Sequence, residues 1–211
     1  MTYEVTLNDI SASTFGLRLS TYSIEKPAPK TAYIDIPFGD GAADLSMASG
    51  EMKYSMRKIT MILQGIMNTE ELEALATSIA NMLHGQKVKI KFDKDSDYYY
   101  YGRISVAYVK TKSMGEILIE ALCEPYKYKT LPTTQSFNVA GSQVVNLLND
   151  RMRAFPKITT TAPFTVTHDG ITYSFGTITD QQSVIPLIEG ANELTLSGTG
   201  TITFEWQEGA L

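Results

Sequence analysis

Cysteine and histidine are scarce in this chain of 211 residues. Cys123 is the only cysteine, which excludes a disulfide within the chain and a cysteine-rich metal site. The two histidines, His84 and His168, have no nucleophile or carboxylate placed beside them by any recognisable motif, as catalysis would require. We therefore expect no catalytic residue, no metal site and no cofactor.

Charge is also sparse. Charged residues make up 19% of the chain, against roughly 25% in typical globular proteins. The net charge is -5 and no basic run is present, which disfavours sequence-specific binding of nucleic acid. Hydrophobic residues reach 43%, enough for a real core beneath a charge-poor surface of the kind that suits contact with other subunits.

Long apolar runs are absent. The amino terminus has neither a basic start nor an apolar stretch of the secretory type, and no Asn-x-Ser/Thr sequon occurs. No segment has the length and apolarity of a membrane span. We expect a protein that is made and used without secretion or membrane insertion.

The first half of the chain has the alternation typical of half-buried strands. Polar and apolar residues alternate in Thr2–Leu7 and Leu17–Ile24. A third strand is predicted around Tyr33, Ile34 and Ile36, ending at Pro37, and a longer one over Tyr54–Leu63. These strands are expected to form an antiparallel meander.

One helix is predicted, over about 69–84. Asn68 can cap it, Glu71 follows at capping-box spacing, and Gly85 can close the far end. Its apolar stripe, which we expect to pack on the sheet, consists of Leu72, Leu75, Ile79 and Met82. His84 would serve as a partner for the carboxyl end of the helix.

The segment after the helix alternates most regularly. Val88, Ile90 and Phe92 should face inward and Lys87, Lys89 and Lys91 outward. Asp93–Asp97 should turn the chain into long strands at Tyr98–Lys110 and Gly115–Cys123. Tyr98 and Tyr100 then point to one face and Tyr99 and Tyr101 to the other, so that one pair is core and the other is contact surface.

Composition divides the chain into two domains. Residues 1–127 form the first, residues 128–134 read as a linker rich in Thr and Pro, and residues 135–211 form the second. In the second domain, His168-Asp169-Gly170 predicts a hairpin turn, and Val184–Ile188, Asn192–Leu196 and Thr201–Trp206 predict short strands. Ser197–Gly200 would be the turn between the last two. The fold class expected is mainly β (α+β), with a small β-sandwich at the carboxyl end.

Two patterns imitate binding sites. Asp93, Asp95 and Asp97 match the opening of a calcium loop, but Tyr98 and Ile104 occupy the positions that need Gly and Glu. In the second domain, Trp206, Tyr173 and Phe175 would form either an aromatic platform for a sugar or part of the core, and we favour the core because aromatic residues bury large areas in a small sandwich.

Several segments occur in an order that resembles one known family. They are Tyr33–Leu45, which contains Pro37-Phe38-Gly39-Asp40-Gly41, then Tyr54–Ile59, Glu124–Tyr128, Phe155–Ile158, Gly190–Leu194 and Glu208–Leu211. As a set they are similar to the distal tail proteins (Dit) of long-tailed bacteriophages. Two positions depart from the family pattern. Phe38 is an extra residue between Pro37 and Gly39, and Gln207 stands where a basic residue is common.

The resemblance implies a structural subunit without enzymatic activity, located at the virion tail tip and made in the host cytoplasm. Six copies would form a ring from first domains of split-barrel type, while galectin-like second domains project outward. The ring would join the tail tube protein to the tail-associated fibre or lysin protein at the baseplate and serve host attachment, with the tape measure protein as a further neighbour. DNA would pass through without specific binding.

The ring requires subunit contacts. We expect the hairpin Lys87–Tyr101 to contribute by strand pairing at an open sheet edge, with Lys87, Lys89, Lys91, Tyr99 and Tyr101 as candidate interface residues. Two other classes stay open at this point: a carbohydrate-binding module that acts alone, and an enzyme of unrecognised type.

Overall fold

The computed structural model describes residues 4–110 and 115–211. Two compact units divide the chain: one extends to Lys127 and includes Leu211, and the other is Tyr128–Ala210. Strands dominate both, and the expected class, mainly β with one packed helix, is confirmed. Strands occupy Lys127–Lys129 and the chain from Thr133 onward, so only residues 130–132 of the segment expected as a linker lie outside strands.

The described residues of the first unit form nine strands and one α-helix. They are β1 Val5–Leu7, β2 Ile10–Ser11, β3 Leu17–Ile24, β4 Tyr33–Asp35, β5 Ala42–Asp44, β6 Arg57–Gly65, α1 Thr69–Leu83, β7 Lys87–Phe92, β8 Tyr98–Lys110 and β9 Gly115–Cys123. The predicted strands at β3, β7, β8 and β9 are confirmed with their bounds. Thr2 and Tyr3, which belong to the first expected strand, lie outside the described residues.

The expected meander is wrong. The strands follow the order β2-β1-β7-β8-β9-β6-β3, and each pairing along this path is antiparallel. β1 therefore pairs with β7, which follows it by some eighty positions, while β4 and β5 form a separate two-stranded sheet. Local alternation specifies which residues form strands, but not which strand each one meets.

Helix α1 begins as expected. The Asn68 side chain accepts a hydrogen bond from the Glu71 N–H at 2.8 Å, and Glu71 completes the capping box. The helix packs against β8 and β9 and buries Leu72, Ala76, Ile79 and Leu83. Met82, expected in the apolar stripe, is 43% exposed, because the buried face passes through Leu83 at the last turn.

His84 corrects another expectation. It is the carboxyl-terminal cap residue, but its ring contacts strand β8 and not the helix carbonyls. The Nδ1 atom accepts a hydrogen bond from the Val106 N–H at 3.1 Å. The imidazole thus extends the pairing of β8 beyond the end of β7.

The second unit contains the remaining strands. They are β10 Lys127–Lys129, at the boundary, β11 Thr133–Asn149, β12 Lys157–Thr160, β13 Phe164–His168, β14 Ile171–Phe175, β15 Gln181–Gln182, β16 Gly190–Trp206 and β17 Gly209–Ala210. The hairpin β13–β14 and its Asp169-Gly170 turn are confirmed, with positive φ at both turn residues. The expected strand Val184–Ile188 is wrong: the chain there makes only an isolated bridge, from Leu187 to Ala154.

A long ribbon organises this unit. β11 and β16 pair in one uninterrupted register over 17 residues, and β16 pairs on its other side with β13 and then with β12. The turn expected at Ser197–Gly200 is therefore wrong, because these residues continue β16. Alternate residues of β16 from Leu194 to Trp206 face a single core.

Two glycines of β16 lie where residues from other segments approach the ribbon closely. Gly198 and Gly200 lie on the inward face at the middle of β16, with φ of 157° and 141°. A Cβ atom at Gly198 would lie 2.7 Å from Phe164 Cδ1, and one at Gly200 would lie 2.7 Å from Thr161 Oγ1. The core of the second unit is thus formed by a single six-stranded sheet, whereas the sequence predicted a sandwich of several short strands.

Candidate assembly surfaces

The five predicted interface residues lie on one outward face of β7 and β8. The Lys89 ammonium lies 5.0 Å from the centre of the Tyr99 ring, and the Lys87 ammonium lies 5.4 Å from that of Tyr101. Lys87 also pairs with Glu124 at 3.5 Å. Tyr100, on the opposite face, is 5% exposed and joins the core, as does Phe92. We call Lys87, Lys89, Lys91, Tyr99 and Tyr101 the lysine–tyrosine face.

The lysine–tyrosine face combines positively charged lysines with tyrosine rings and has the carboxylate of Glu124 beside it. Burial, followed by the charge of Glu124, raises the pKa of Tyr99, so the phenol stays neutral and supplies an apolar ring with a hydroxyl tip. Cation–π contacts of the lysines on these rings contribute ~0.5–1 kcal/mol at exposed sites. The face therefore presents lysine ammonium groups over aromatic rings at the surface of the sheet.

The lysine–tyrosine face cannot act as an open strand edge, contrary to the expectation. β7 pairs with β1 and with β8, and β8 pairs with β7 and with β9. Both edges of the hairpin are thus occupied over these pairings. Any neighbour must meet its side chains.

A second surface was not identified as such from the sequence. Residues 28–55, which we call the arm, carry the β4–β5 hairpin. Backbone hydrogen bonds close its base, from Lys30 N–H to Lys53 O and from Ser55 N–H to Ala28 O, each at 2.8 Å. Among the described residues, none from 28 to 55 belongs to the first hydrophobic core or to the partly buried hydrophobic residues packed against it.

The arm carries large apolar side chains into solvent. Tyr33 is 62% exposed, Ile34 is 57% exposed, and Phe38 at the turn is fully exposed with a φ of 61°. An isolated two-stranded hairpin is at best marginally stable in water. The adjacent apolar residues Tyr33 and Ile34 point to opposite faces of one strand, so each face of the hairpin exposes an apolar side chain.

A shallow depression of about 650 Å³ lies on the outward side of β6, β8 and β9. Met56 and Leu122 supply exposed apolar surface there, and Lys58 pairs with Glu120 at 2.5 Å. The hydrogen bond to Glu120 raises the pKa of Lys58. His84 also lines the depression, but its Nδ1 is engaged by β8.

The other reactive groups are held in structural contacts. Cys123 is fully buried, and burial raises the pKa of its thiol to about 12, so that the nucleophilic thiolate is suppressed. His168, expected as a turn residue, is 5% exposed, with Nδ1 2.9 Å from Glu193 O and Nε2 3.1 Å from Pro186 O. Asp95 pairs with Lys127 at 2.6 Å. The described residues contain no cluster of His, Cys, Asp and Glu that could hold a metal ion.

The aromatic residues of the second unit are divided between core and periphery. Trp206 is 2% exposed and belongs to the core, as favoured from the sequence, and Tyr173 and Phe175 pack against that core while remaining partly exposed. A flat platform for a sugar ring needs exposed aromatic faces. Burial removes Trp206 from such a role.

No helix within the described residues has the length and apolarity needed to cross a membrane. Comparison with known protein families and with curated proteins gives no match. Among solved structures, the chain is similar to the crystal structure of the Dit protein (gp 19.1) of SPP1, described as a paradigm of the hub adsorption apparatus in phages that infect Gram-positive bacteria. The match has a TM-score of 0.73 and 15% sequence identity, and it covers 100% of both chains. The resemblance expected from the sequence is thus confirmed at the level of the fold.

Proposed function

We propose that this chain is a structural subunit of a phage tail tip, a distal tail protein that assembles into a ring of six copies. The ring joins the tail tube protein to the tail-associated fibre or lysin protein, with the tape measure protein as a further neighbour. The observation that carries the proposal is the full-length similarity in fold to a protein described as part of a hub adsorption apparatus. In this proposal the subunit is made in the host cytoplasm and acts at the tail tip in host attachment.

The arm supports an assembling role. Its exposed Tyr33, Ile34 and Phe38 find no core within the described chain. A ring requires that one surface of each subunit meets a different surface of the next, so that the contact repeats around the axis until it closes. An apolar hairpin that extends from the sheet can occupy an apolar site on the next subunit in this way.

The lysine–tyrosine face is the second proposed contact. Lys89 and Lys91 carry positive charge in a chain whose net charge is -5, so they can attract an acidic region of a neighbouring copy. This attraction steers association more than it adds affinity. The face would act through side chains, since its strands are already paired.

Charge also bears on DNA passage. Six copies at -5 each give a ring charge of -30. A negative ring would repel a passing polyanion and would not retain it. A lumen lined by Lys and Arg would contradict this part of the proposal.

Chemistry within the chain agrees with a structural role. The Cys123 thiol is buried with a raised pKa, and the rings of His84 and His168 contact backbone atoms. We therefore propose no enzymatic activity.

The decisive experiment is to determine the mass and symmetry of the purified full chain, alone and with its tail partners. Light scattering should give about 140 kDa for each ring, six times the 23.3 kDa subunit mass, or a whole multiple of it where rings associate, and negative-stain electron microscopy should show six-fold rings. A chain that stays a single subunit even with its tail partners would overturn the proposal.

The arm is tested by replacing Tyr33, Ile34 and Phe38 with Ser. All three side chains are exposed, so circular dichroism of the subunit should be unchanged while the ring dissociates. The matched control replaces Ile171, which is exposed to the same 57% as Ile34, with Ser and should leave the ring intact. Equal assembly of both variants would exclude the arm as a ring contact.

The lysine–tyrosine face is tested by reversing charge in the Lys89→Glu/Lys91→Glu variant. We expect weaker ring formation, most clearly at low salt, because screening reduces surface electrostatics. Arg18→Glu, an exposed reversal on strand β3, is the control. Normal rings from the Lys89/Lys91 variant would remove this face from the interface.

A further inference from the structure

The outer edge of β11 is a long strand edge of the second unit that no described strand covers. β11 is 17 residues long and pairs with β16 along its whole length. Among the described strands, none pairs with its other side. Because alternate residues of a strand direct their N–H and C=O groups to opposite edges, about half of its backbone groups face away from β16.

This edge lacks the features that normally prevent strand pairing. Proteins protect long edges with charged side chains, proline or bulges. β11 contains no Asp, Glu, Lys, Arg or Pro, and its register with β16 has no bulge. Near its end, Val144 and Leu148 are 57% and 62% exposed.

The sequence of this edge complements itself in one antiparallel register. When two copies pair about Asn146, Val144 of each copy lies opposite Leu148 of the other, and the two Asn146 side chains lie opposite each other. Val145 and Leu147 alternate with these residues on the inward face. A two-fold interface has this reciprocity, in which residue i contacts j and j contacts i.

We propose that residues 143–149 of β11 form an antiparallel strand pair with the same segment of a second copy, which joins the two six-stranded sheets of the second units into one. Apolar cross-strand pairs between Val144 and Leu148 and an amide pair at Asn146 specify the register. The absence of charge along the edge leaves no like-charge repulsion between the copies. This pairing is independent of the proposed ring, because neighbouring copies in a ring meet through two different surfaces, whereas pairing of the same segment in two copies is a reciprocal two-fold contact.

Disulfide trapping in the full chain tests the register. In an antiparallel pair, residues directly opposite have Cα atoms about 4.5–5.5 Å apart, a separation that a disulfide spans. Asn146→Cys should therefore form a covalent dimer under mild oxidation. Asn138→Cys, on the same exposed face of β11, lies outside the paired segment and is the control. The buried Cys123 contributes little background.

The expected result is dimer formation on the order of tenfold faster for Asn146→Cys than for Asn138→Cys, because pairing raises the local thiol concentration. Equal rates would overturn the proposal. Sedimentation supplies a second readout: Val144→Lys/Leu148→Lys places like charges opposite each other and should halve the mass of the assembly. Ile171→Lys/Val184→Lys, at exposed aliphatic positions away from β11, should leave it unchanged.

An unchanged mass in the Val144→Lys/Leu148→Lys variant would also contradict the pairing. This is the result expected if a different protein, and not a second copy, covers this edge. Failure of this test would leave untouched the six-fold symmetry that the proposed ring predicts for electron micrographs. Conversely, β11-dependent dimers without six-fold particles would support the pairing and contradict the ring.

Discussion

Replacement of Arg57 should separate the contribution of its volume from that of its charge. Arg57 is 2% exposed, at the start of β6. Its Nε donates to the carbonyl oxygen of Pro125 at 2.8 Å, and Nη2 donates to the same oxygen. Its guanidinium carbon lies 5.3 Å from the centre of the Tyr100 ring. None of the ion pairs among the described residues includes Arg57, so a buried cation is held by a carbonyl and a ring.

Three effects determine the result. Burial lowers the pKa of the Arg57 guanidinium, which reflects a desolvation cost of several kcal/mol for a buried ion. Removal of the donors leaves the Pro125 carbonyl unsatisfied at a cost of ~1–3 kcal/mol, so these two effects largely cancel. Substitution with Ala also removes the buried aliphatic part of the side chain, which lowers the free energy of unfolding by a further ~2–5 kcal/mol through lost packing and cavity formation.

We therefore expect Arg57→Ala to lower the free energy of unfolding by about 3 kcal/mol and Arg57→Met, which keeps the volume, to change it by less than about 1 kcal/mol. Arg57→Lys keeps the charge but loses the two-pronged contact with Pro125, and should fall between them. Guanidinium denaturation followed by circular dichroism measures each value. Trp206, the single tryptophan, lies in the second core and gives a separate fluorescence probe of that unit. Equal destabilisation by Ala and Met would refute the reasoning, since the charge and not the volume would then dominate.

Gly200→Ala should cost ~1–3 kcal/mol, because φ is 141° and the new Cβ would lie 2.7 Å from Thr161 Oγ1; Gly176→Ala, with no atom within 4 Å of its Cβ, is the control in the same denaturation assay and should be nearly neutral. Asn68→Ala should destabilise the helix by ~1 kcal/mol through loss of its cap, measured by thermal unfolding, whereas Asn68→Ser should retain most of the stability. Cys123 should resist alkylation in the folded protein from pH 7 to pH 9, because its pKa of about 12 keeps the thiol protonated there. An unfolded thiol with a pKa of ~8.5 reacts readily over the same range. Mass spectrometry detects the adduct, and fast labelling under native conditions would contradict the burial of Cys123.

Local patterns were sufficient for the elements around α1. The alternation of Lys87–Phe92 and the capping box at Asn68 depend on residues that are close in sequence, and both are present as expected. The turn at Asp169-Gly170 belongs to the same class, because a two-residue hairpin turn selects its own residues. Interactions of this range need no knowledge of the remainder of the fold.

Glycine caused the main error in the second unit. Gly198 and Gly200 resemble a turn in sequence, yet they continue a strand of 17 residues. A turn and a close approach by a neighbouring segment both favour residues without a Cβ, so the sequence signal is the same. The distinction is made by Phe164 and Thr161, which come from other parts of the chain and occupy the space beside the two glycines.

The sequence by itself determined the mainly β class, the helix and the inward and outward faces of β7, because each depends on periodicity within one segment. Tertiary structure alone decided that β7 lies between β1 and β8, that the arm stands outside the core and that β11 has a free edge. Strand neighbours and burial depend on contacts between residues distant in the chain, and a segment's own alternation contains no information about which partner it meets.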